Sequence, residues 1–249
     1  MIDTHLHLND EAFNDILDET IKGALDNGIN KMIVMGTNYE SSKKAIELAH
    51  KYPCVYAMVG LHPSDVDEEM DKELTWLKAF LLEKKVLGIG EIGIDLHWTK
   101  ENKDLQIYFF KKQLELAKEF DLPVSIHSRD AIELTYEILK ESNNKGIIHC
   151  YSGSLEMANK FINLGYYLGI GGVLTFKNAK IKEVLQHIDL SHIVSETDAP
   201  YLSPVPFRGT INKPEYIKII VEEIANIKGQ SIEKVQNQID KNVNAIFKF

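Results

Sequence analysis

Positive charge, cysteine and long apolar runs are all scarce in this chain. Its 249 residues carry 28 Lys and Arg against 37 Asp and Glu, a formal net charge of −9. Such an acidic chain is poorly suited to wrapping a long duplex, because neutralising phosphates takes clustered cations. It leaves room for a small phosphoester held by a local basic pocket and by metal ions, whose charge reverses the sign of the field nearby. Only two cysteines occur, Cys54 and Cys150, each in or beside an apolar run. One disulfide is arithmetically possible, but two buried, reduced thiols are the expectation. No basic segment followed by an apolar stretch opens the sequence, so no signal peptide is expected. No window reaches the roughly 18 continuous apolar residues of a membrane helix. A cytoplasmic chain that contacts no membrane is expected, with a monomer as the default. No low-complexity tract or Ser/Gly linker divides it, so residues 1–249 are expected to form a single domain.

What the sequence does have is alternation. The runs 1–4, 31–37, 55–61, 86–94, 123–126, 146–149, 166–171 and 193–196 are short and apolar and read as strands. The stretches 10–27, 39–52, 66–84, 102–120, 131–142, 155–164, 179–187, 214–228 and 231–247 read as helices. Strands each followed by a helix, eight in all over about 250 residues, make an α/β chain that closes into a (β/α)8 TIM barrel. Parallel strands covered on both faces should be continuously apolar, as these are. Gly88, Gly90 and Gly93 in the fourth strand predict a close backbone approach or a bulge. The longest irregular segment, 199–213, holds Pro200, Pro204 and Pro206, with Pro214 just beyond. A loop of that length in a compact domain is expected to serve function.

Metal-type ligands recur where these strands end. His5 and His7 close the first, Glu91 lies in the fourth, His127 ends the fifth, His149 the sixth, and Asp198 follows the eighth. Two residues apart on a strand, His5 and His7 point to the same side. Any one of these alone has an ordinary explanation as a hydrogen-bonded core histidine, an ion pair or a turn former. Six together, at the barrel end where active sites sit, predict a metal centre at the C-terminal ends of the strands. Four imidazoles and two carboxylates exceed what one tetrahedral ion takes, so two divalent cations sharing a carboxylate are expected. Mg, Mn and Zn are all candidates, and histidine-rich donors favour Zn or Mn over Mg.

In the stretches 2–8, 60–63, 88–98, 123–131, 148–153 and 196–202, and more loosely 165–172, the chain resembles the TatD family of metal-dependent deoxyribonucleases. The resemblance spans essentially the whole sequence. It implies that His5, His7, Glu91 and Asp198 hold one ion and that Glu91 bridges to a second held by His127 and His149. It also implies phosphodiester hydrolysis, commonly of DNA from the 3′ end, through a metal-activated water. Asp198 is then the expected general base, with Glu91 as its catalytic companion. Glu196 falls on the same face as Asp198 and is expected to orient neighbouring groups.

Four residues are expected to touch the substrate, DNA or a small phosphoester. His62 would donate to a phosphate, or else cap a turn. Arg129 would grip phosphate oxygens bidentately, or else pair with Asp130. Trp98 would stack on a base, and Arg208 would supply charge from the loop after Asp198. That loop departs from the family. Phe207 stands where His is frequent and Thr210-Ile211 where Lys-Arg is frequent, which lowers the expected affinity for polyanions. His50, His187 and His192 are expected on the surface. An amidohydrolase or deaminase acting on a small molecule would use the same barrel and ligand types. Glu91 in place of a carbamylatable Lys, with Arg129 nearby, tilts towards phosphate. A non-catalytic metal-bound scaffold would be favoured by a missing ligand, and none is missing.

Overall fold

The apolar runs pair because each is too short and too hydrophobic to be satisfied alone. The computed structural model describes residues 1–249. Eight parallel strands form one sheet in sequential order. They are β1 (Ile2–Leu6), β2 (Lys31–Met35), β3 (Val55–Val59), β4 (Val86–Asp95), β5 (Val124–Arg129), β6 (Gly146–Ile148), β7 (Tyr167–Ile170) and β8 (Ile193–Ser195). Around them lie α1 (Leu17–Asp26), α2 (Tyr39–Lys51), α3 (Thr75–Phe80), α4 (Lys103–Glu119), α5 (Ile132–Ser142), α6 (Leu155–Asn163), α7 (Ile181–His187), α8 (Ile217–Lys228) and α9 (Ile232–Ile246). All ten residues of β4 are buried. The helices cover the sheet with their apolar faces, and 65 buried hydrophobic residues form one connected cluster. This is the expected (β/α)8 TIM barrel.

The barrel closes at the β8–β1 edge through bonds made mainly by side chains and by the chain just past β8. The Asp198 N–H donates to the His5 carbonyl at 2.9 Å and the His7 N–H to that of Ala199 at 2.7 Å. The Thr4 hydroxyl donates to the Ser195 carbonyl at 3.0 Å. Asp3 accepts from both the backbone N–H and the hydroxyl of Thr197, at 3.0 and 2.6 Å. Burial drives the Asp3 carboxyl up to about 7 against the lowering effect of those bonds.

The glycines of β4 admit β5. A side chain at Gly93, whose φ is +149°, would place its Cβ 1.9 Å from the His127 carbonyl oxygen. At Gly88 it would meet the Pro123 oxygen at 2.4 Å. The register shifts between Ile89 and Ile92, so the bulge falls around Glu91.

Element limits differ from the sequence reading where side chains compete with the backbone. The helix expected over 66–84 shrinks to α3. Asp67 accepts from the Glu69 N–H, and Asp71 from those of Glu73 and Thr75, and such local bonds favour turns over helix. The helix expected from 10 begins instead as a 3-10 turn at Glu11–Phe13, capped by Asp10, and α1 starts at Leu17. Strand β1 runs on to Leu6 and β5 to Arg129, which carries His5 and His127 inside the sheet.

Replacing Asp3 by Ala strands two buried donors of Thr197 and should destabilise the fold by about 1–3 kcal/mol. Urea unfolding with an unchanged midpoint would show that closure does not depend on this carboxylate.

Candidate metal centre

At the C-terminal end of the barrel, neighbouring strands deliver imidazoles and carboxylates to one point. His5 Nε2 lies 3.4 Å from Glu91 Oε2 and 3.8 Å from Asp198 Oδ1. His7 Nε2 lies 3.7 and 3.4 Å from the same two atoms. On the other side of Glu91, its Oε1 is 2.8 Å from His127 Nδ1 and 3.8 Å from His149 Nε2. The His5 and His149 rings stack with centres 3.5 Å apart. Two carboxylates thus face four imidazoles, and all six residues singled out in the sequence come together. Asp198 adopts φ +57°. That left-handed conformation costs roughly 1–2 kcal/mol, offset by the bond its N–H makes to His5.

Further partners fix the rings. Ser125 Oγ is 3.2 Å from His5 Nδ1. Asp95 Oδ2 is 2.9 Å from His127 Nε2, and Glu196 Oε1 is 2.9 Å from His149 Nδ1. Each contact occupies the ring nitrogen other than the one turned towards Glu91. Carboxylate–imidazole contacts of this kind orient metal-binding histidines and raise their basicity. Glu196 was expected to orient its neighbours. Asp95 and Ser125 were not singled out, although period-two alternation puts Asp95 on the face of Glu91, and Ser125 on that of His127.

The electrostatics are those of a cation site. His5 Nε2 is buried and has no hydrogen-bond partner. Burial and the neighbouring His149 hold His5 below its usual range. Burial also opposes protonation of His127 and His149. Bonds to Asp95 and Glu91 nevertheless raise the former to about 9, and Glu196 and Glu91 raise the latter to about 10. Burial alone would raise Glu91, but His5, His149 and His127 hold it well below the carboxylate range. Such a nest of carboxylates and imidazoles fits divalent ions. Three triplets, His5–His7–Asp198, His62–Glu91–His127 and His5–His149–Glu196, each bring their donor atoms within 4.8 Å.

Above these donors a cavity of about 750 Å³ opens, lined also by Asp10, His62, Trp98, Arg129 and Tyr201. His62 takes the turn-capping role weighed from sequence and also faces the cavity. Its Nδ1 accepts from the Ser64 N–H at 3.2 Å, while its Nε2 lies 3.8 Å from Glu91 Oε1. Arg129 makes no pair with Asp130, which bonds His97 instead at 3.0 Å. Its guanidinium stands 5.3 Å from the Trp98 ring centre, and Trp98 is 73% exposed. Tyr201, absent from the sequence reading, packs edge-on against His7 at 5.7 Å and donates to Asp10 at 2.7 Å. Arg208 does not join this cavity and stands 3.8 Å over Phe176 in the next one. Phe207 stacks on Tyr216 at 4.2 Å, and the buried Asn212 donates to the Thr197 and Tyr201 carbonyls at 2.7 Å each. The loop after Asp198 is therefore anchored rather than slack. Both cysteines are free, and the Cys150 N–H donates to Glu196 at 2.6 Å. No helix is long and apolar enough to cross a membrane.

Divalent ions should raise the unfolding midpoint of stripped protein, by about 2.7 kcal/mol of stability at a hundred times the dissociation constant. Asp95→Asn and Glu196→Gln should each weaken that metal binding by about 10- to 100-fold. A melting curve indifferent to metal would dismiss the cation reading.

Known proteins bear on this geometry. A family model described as TatD related DNase matches residues 2–248. The uncharacterized metal-dependent hydrolase YabD of Bacillus subtilis is 39% identical, covering 100% of this chain and 99% of its own. The uncharacterized metal-dependent hydrolase MJ1582 of Methanocaldococcus jannaschii is 35% identical, over 99% of this chain and 96% of its own. The crystal structure of YjjV, a TatD homolog from Escherichia coli, superposes with a TM-score of 0.93 at 30% identity, covering 99% of this chain and 97% of that one. A match running almost from end to end, on a barrel that gathers these donors at its mouth, makes the chain a member of the TatD family of metal-dependent hydrolases.

Proposed function

We propose that this hydrolase cleaves phosphodiester bonds in DNA, working from the 3′ end, with two divalent cations per chain. The supporting observation is the pairing of two donor sets about one carboxylate, Glu91, beneath a cavity that also holds the Arg129–Trp98 pair. His5, His7, Glu91 and Asp198 would hold one ion. Glu91, His127 and His149 would hold the other. When bound, the ions would lower the pKa of an attacking water and polarise the phosphodiester.

The chain's own groups do the rest. Asp198, with His5 and His7 beside it, accepts the proton of the attacking water as general base. Ser125, Asp95 and Glu196 keep the three rings of His5, His127 and His149 in place. The bond from the Ser64 N–H makes His62 Nδ1 an acceptor, so its remaining ring proton sits on Nε2 and faces the cavity. Burial lowers the His62 pKa to about 4, so at neutral pH it is an uncharged donor, suited to a phosphate oxygen. Arg129 presents its planar fork to a second phosphate oxygen, and the exposed Trp98 face beside it offers a base a stacking surface.

The deciding experiment is hydrolysis of an end-labelled single-stranded oligonucleotide by stripped protein titrated with Mg, Mn and Zn. Metal-restored cleavage should shorten the strand stepwise from its 3′ end. Asp198→Asn should lower kcat by about 10²- to 10⁴-fold while keeping most of the metal. His127→Ala with His149→Ala should lose about one ion per chain. Absence of cleavage with any ion, by protein shown to hold metal, would refute the DNA reading in favour of a small phosphoester or amide. Substantial turnover by Asp198→Asn would remove its role as base.

A further inference from the structure

The chain has two arginines, Arg129 and Arg208, and the structure stands each over an aromatic ring at the same end of the barrel. Arg129 over Trp98 belongs to the cavity above the metal donors. Arg208 over Phe176 belongs to a second cavity of about 650 Å³ that shares no residue with the first. Its walls nevertheless continue from the donors themselves. Ser152 follows His149 closely after β6, Val173 and Phe176 follow β7, and Val205 and Arg208 lie in the loop that begins at Asp198. The Val205 N–H donates to the Thr175 hydroxyl at 2.8 Å, tying the last two of these segments together.

The two cavities differ in charge. The one above the metal donors is lined by Asp10, Glu11, Asp65, Glu91, Asp95 and Asp198, with the site's histidines engaged by those acids and Arg129 as its one Lys or Arg. The second is lined by Lys177, Lys180 and Arg208 and by no carboxylate. None of these three cations pairs with an acid, whereas lysines on the neighbouring helices do, such as Lys160 with Glu156 and Lys182 with Glu223. In a chain of net charge −9, three unpaired cations around one concavity mark a place for an anion. Its remaining walls are largely apolar, from Val173, Phe176, Ile181 and Val205. Its volume lies within the range of about 300–1,000 Å³ usual for small-ligand pockets. Anionic at one end and flat and apolar at the other is the chemistry of a nucleotide. Phe176 also holds the guanidinium flat, so its fork of donors is set before any phosphate arrives.

We propose that this second cavity is a nucleotide subsite, taking the phosphate and base of a DNA nucleotide next to the one whose phosphodiester lies at the metal centre. The inference rests on the reading of that centre as a DNA phosphodiesterase. An acidic cavity whose carboxylates are matched by its histidines and ions, with Arg129 as its one free cation, retains a polyanion poorly. The neighbouring basic cavity supplies the retention, and Lys177 and Lys180 supply cations that the Thr210-Ile211 stretch of the loop does not.

The test compares metal-loaded wild type with Lys177→Ala/Lys180→Ala on a short end-labelled oligonucleotide and on bis(p-nitrophenyl) phosphate, which has no neighbouring nucleotide. The oligonucleotide kcat/KM should fall about tenfold and its logarithmic salt dependence should flatten by about 0.7, for the one phosphate the subsite holds. The small ester should be turned over as by wild type. Equal losses on both substrates, or no loss on either, overturn the subsite. If wild type cleaves the small ester but not DNA, the phosphodiesterase reading of DNA fails, and fluorescence anisotropy with a labelled oligonucleotide decides the subsite separately. Lysine-dependent, salt-sensitive binding then upholds it; absent or lysine-independent binding overturns it.

Discussion

The arrangement of the barrel mouth depends on carboxylates held out of water. Glu91, Asp95, Glu196 and Asp198 are 5, 4, 0 and 8% exposed, and each would be costly to bury as an anion alone. Their charge is tolerable only because imidazoles on β1, β5 and the turn after β6 face them. The histidines are in turn fixed by the same acids, so neither set has a reason to be buried without the other. A cluster that needs positive charge at its centre, and in which the buried His5 Nε2 has no hydrogen-bond partner, is suited to cations rather than to water.

Much of this was legible in the sequence because barrel geometry turns linear order into position. Short apolar runs ending in His, Glu or Asp place those residues at one end whatever the loops do. The glycines of β4 likewise announced the close approach of β5, which lets Glu91 and His127 meet. Asp95 was overlooked because it ends a strand already credited with Glu91, and a second acid there reads as a loop residue. Segment 66–84 was misread because its leucine spacing is helical while Asp67 and Asp71 cap turns locally, and local bonds won. The partners of Arg129 and Arg208 were not legible at all. Which aromatic a long side chain lies over depends on segments from different strands, here the loop after β4 and the end of β5 for Trp98 and Arg129 and the loops after β7 and β8 for Phe176 and Arg208.

The loop after Asp198 is held by contacts of its own. Phe207 stacks on Tyr216 and so anchors the segment against the start of α8. Asn212 bonds the two carbonyls on either side of the Asp198 turn. Thr210 and Ile211 face solvent, while Asn212 and Phe207 hold the segment that carries Asp198.

Closure of the sheet has a consequence for how the protein matures. Asp198 reaches His5 and His7 only when the eighth strand docks on the first, through Asp3 and Thr197. A nascent chain still short of that strand carries five of the six donors in a groove with an open side. Tight binding of the ion assigned to His5, His7, Glu91 and Asp198 then cannot precede the docking of that strand. Occupancy of that one position becomes a readout of barrel closure.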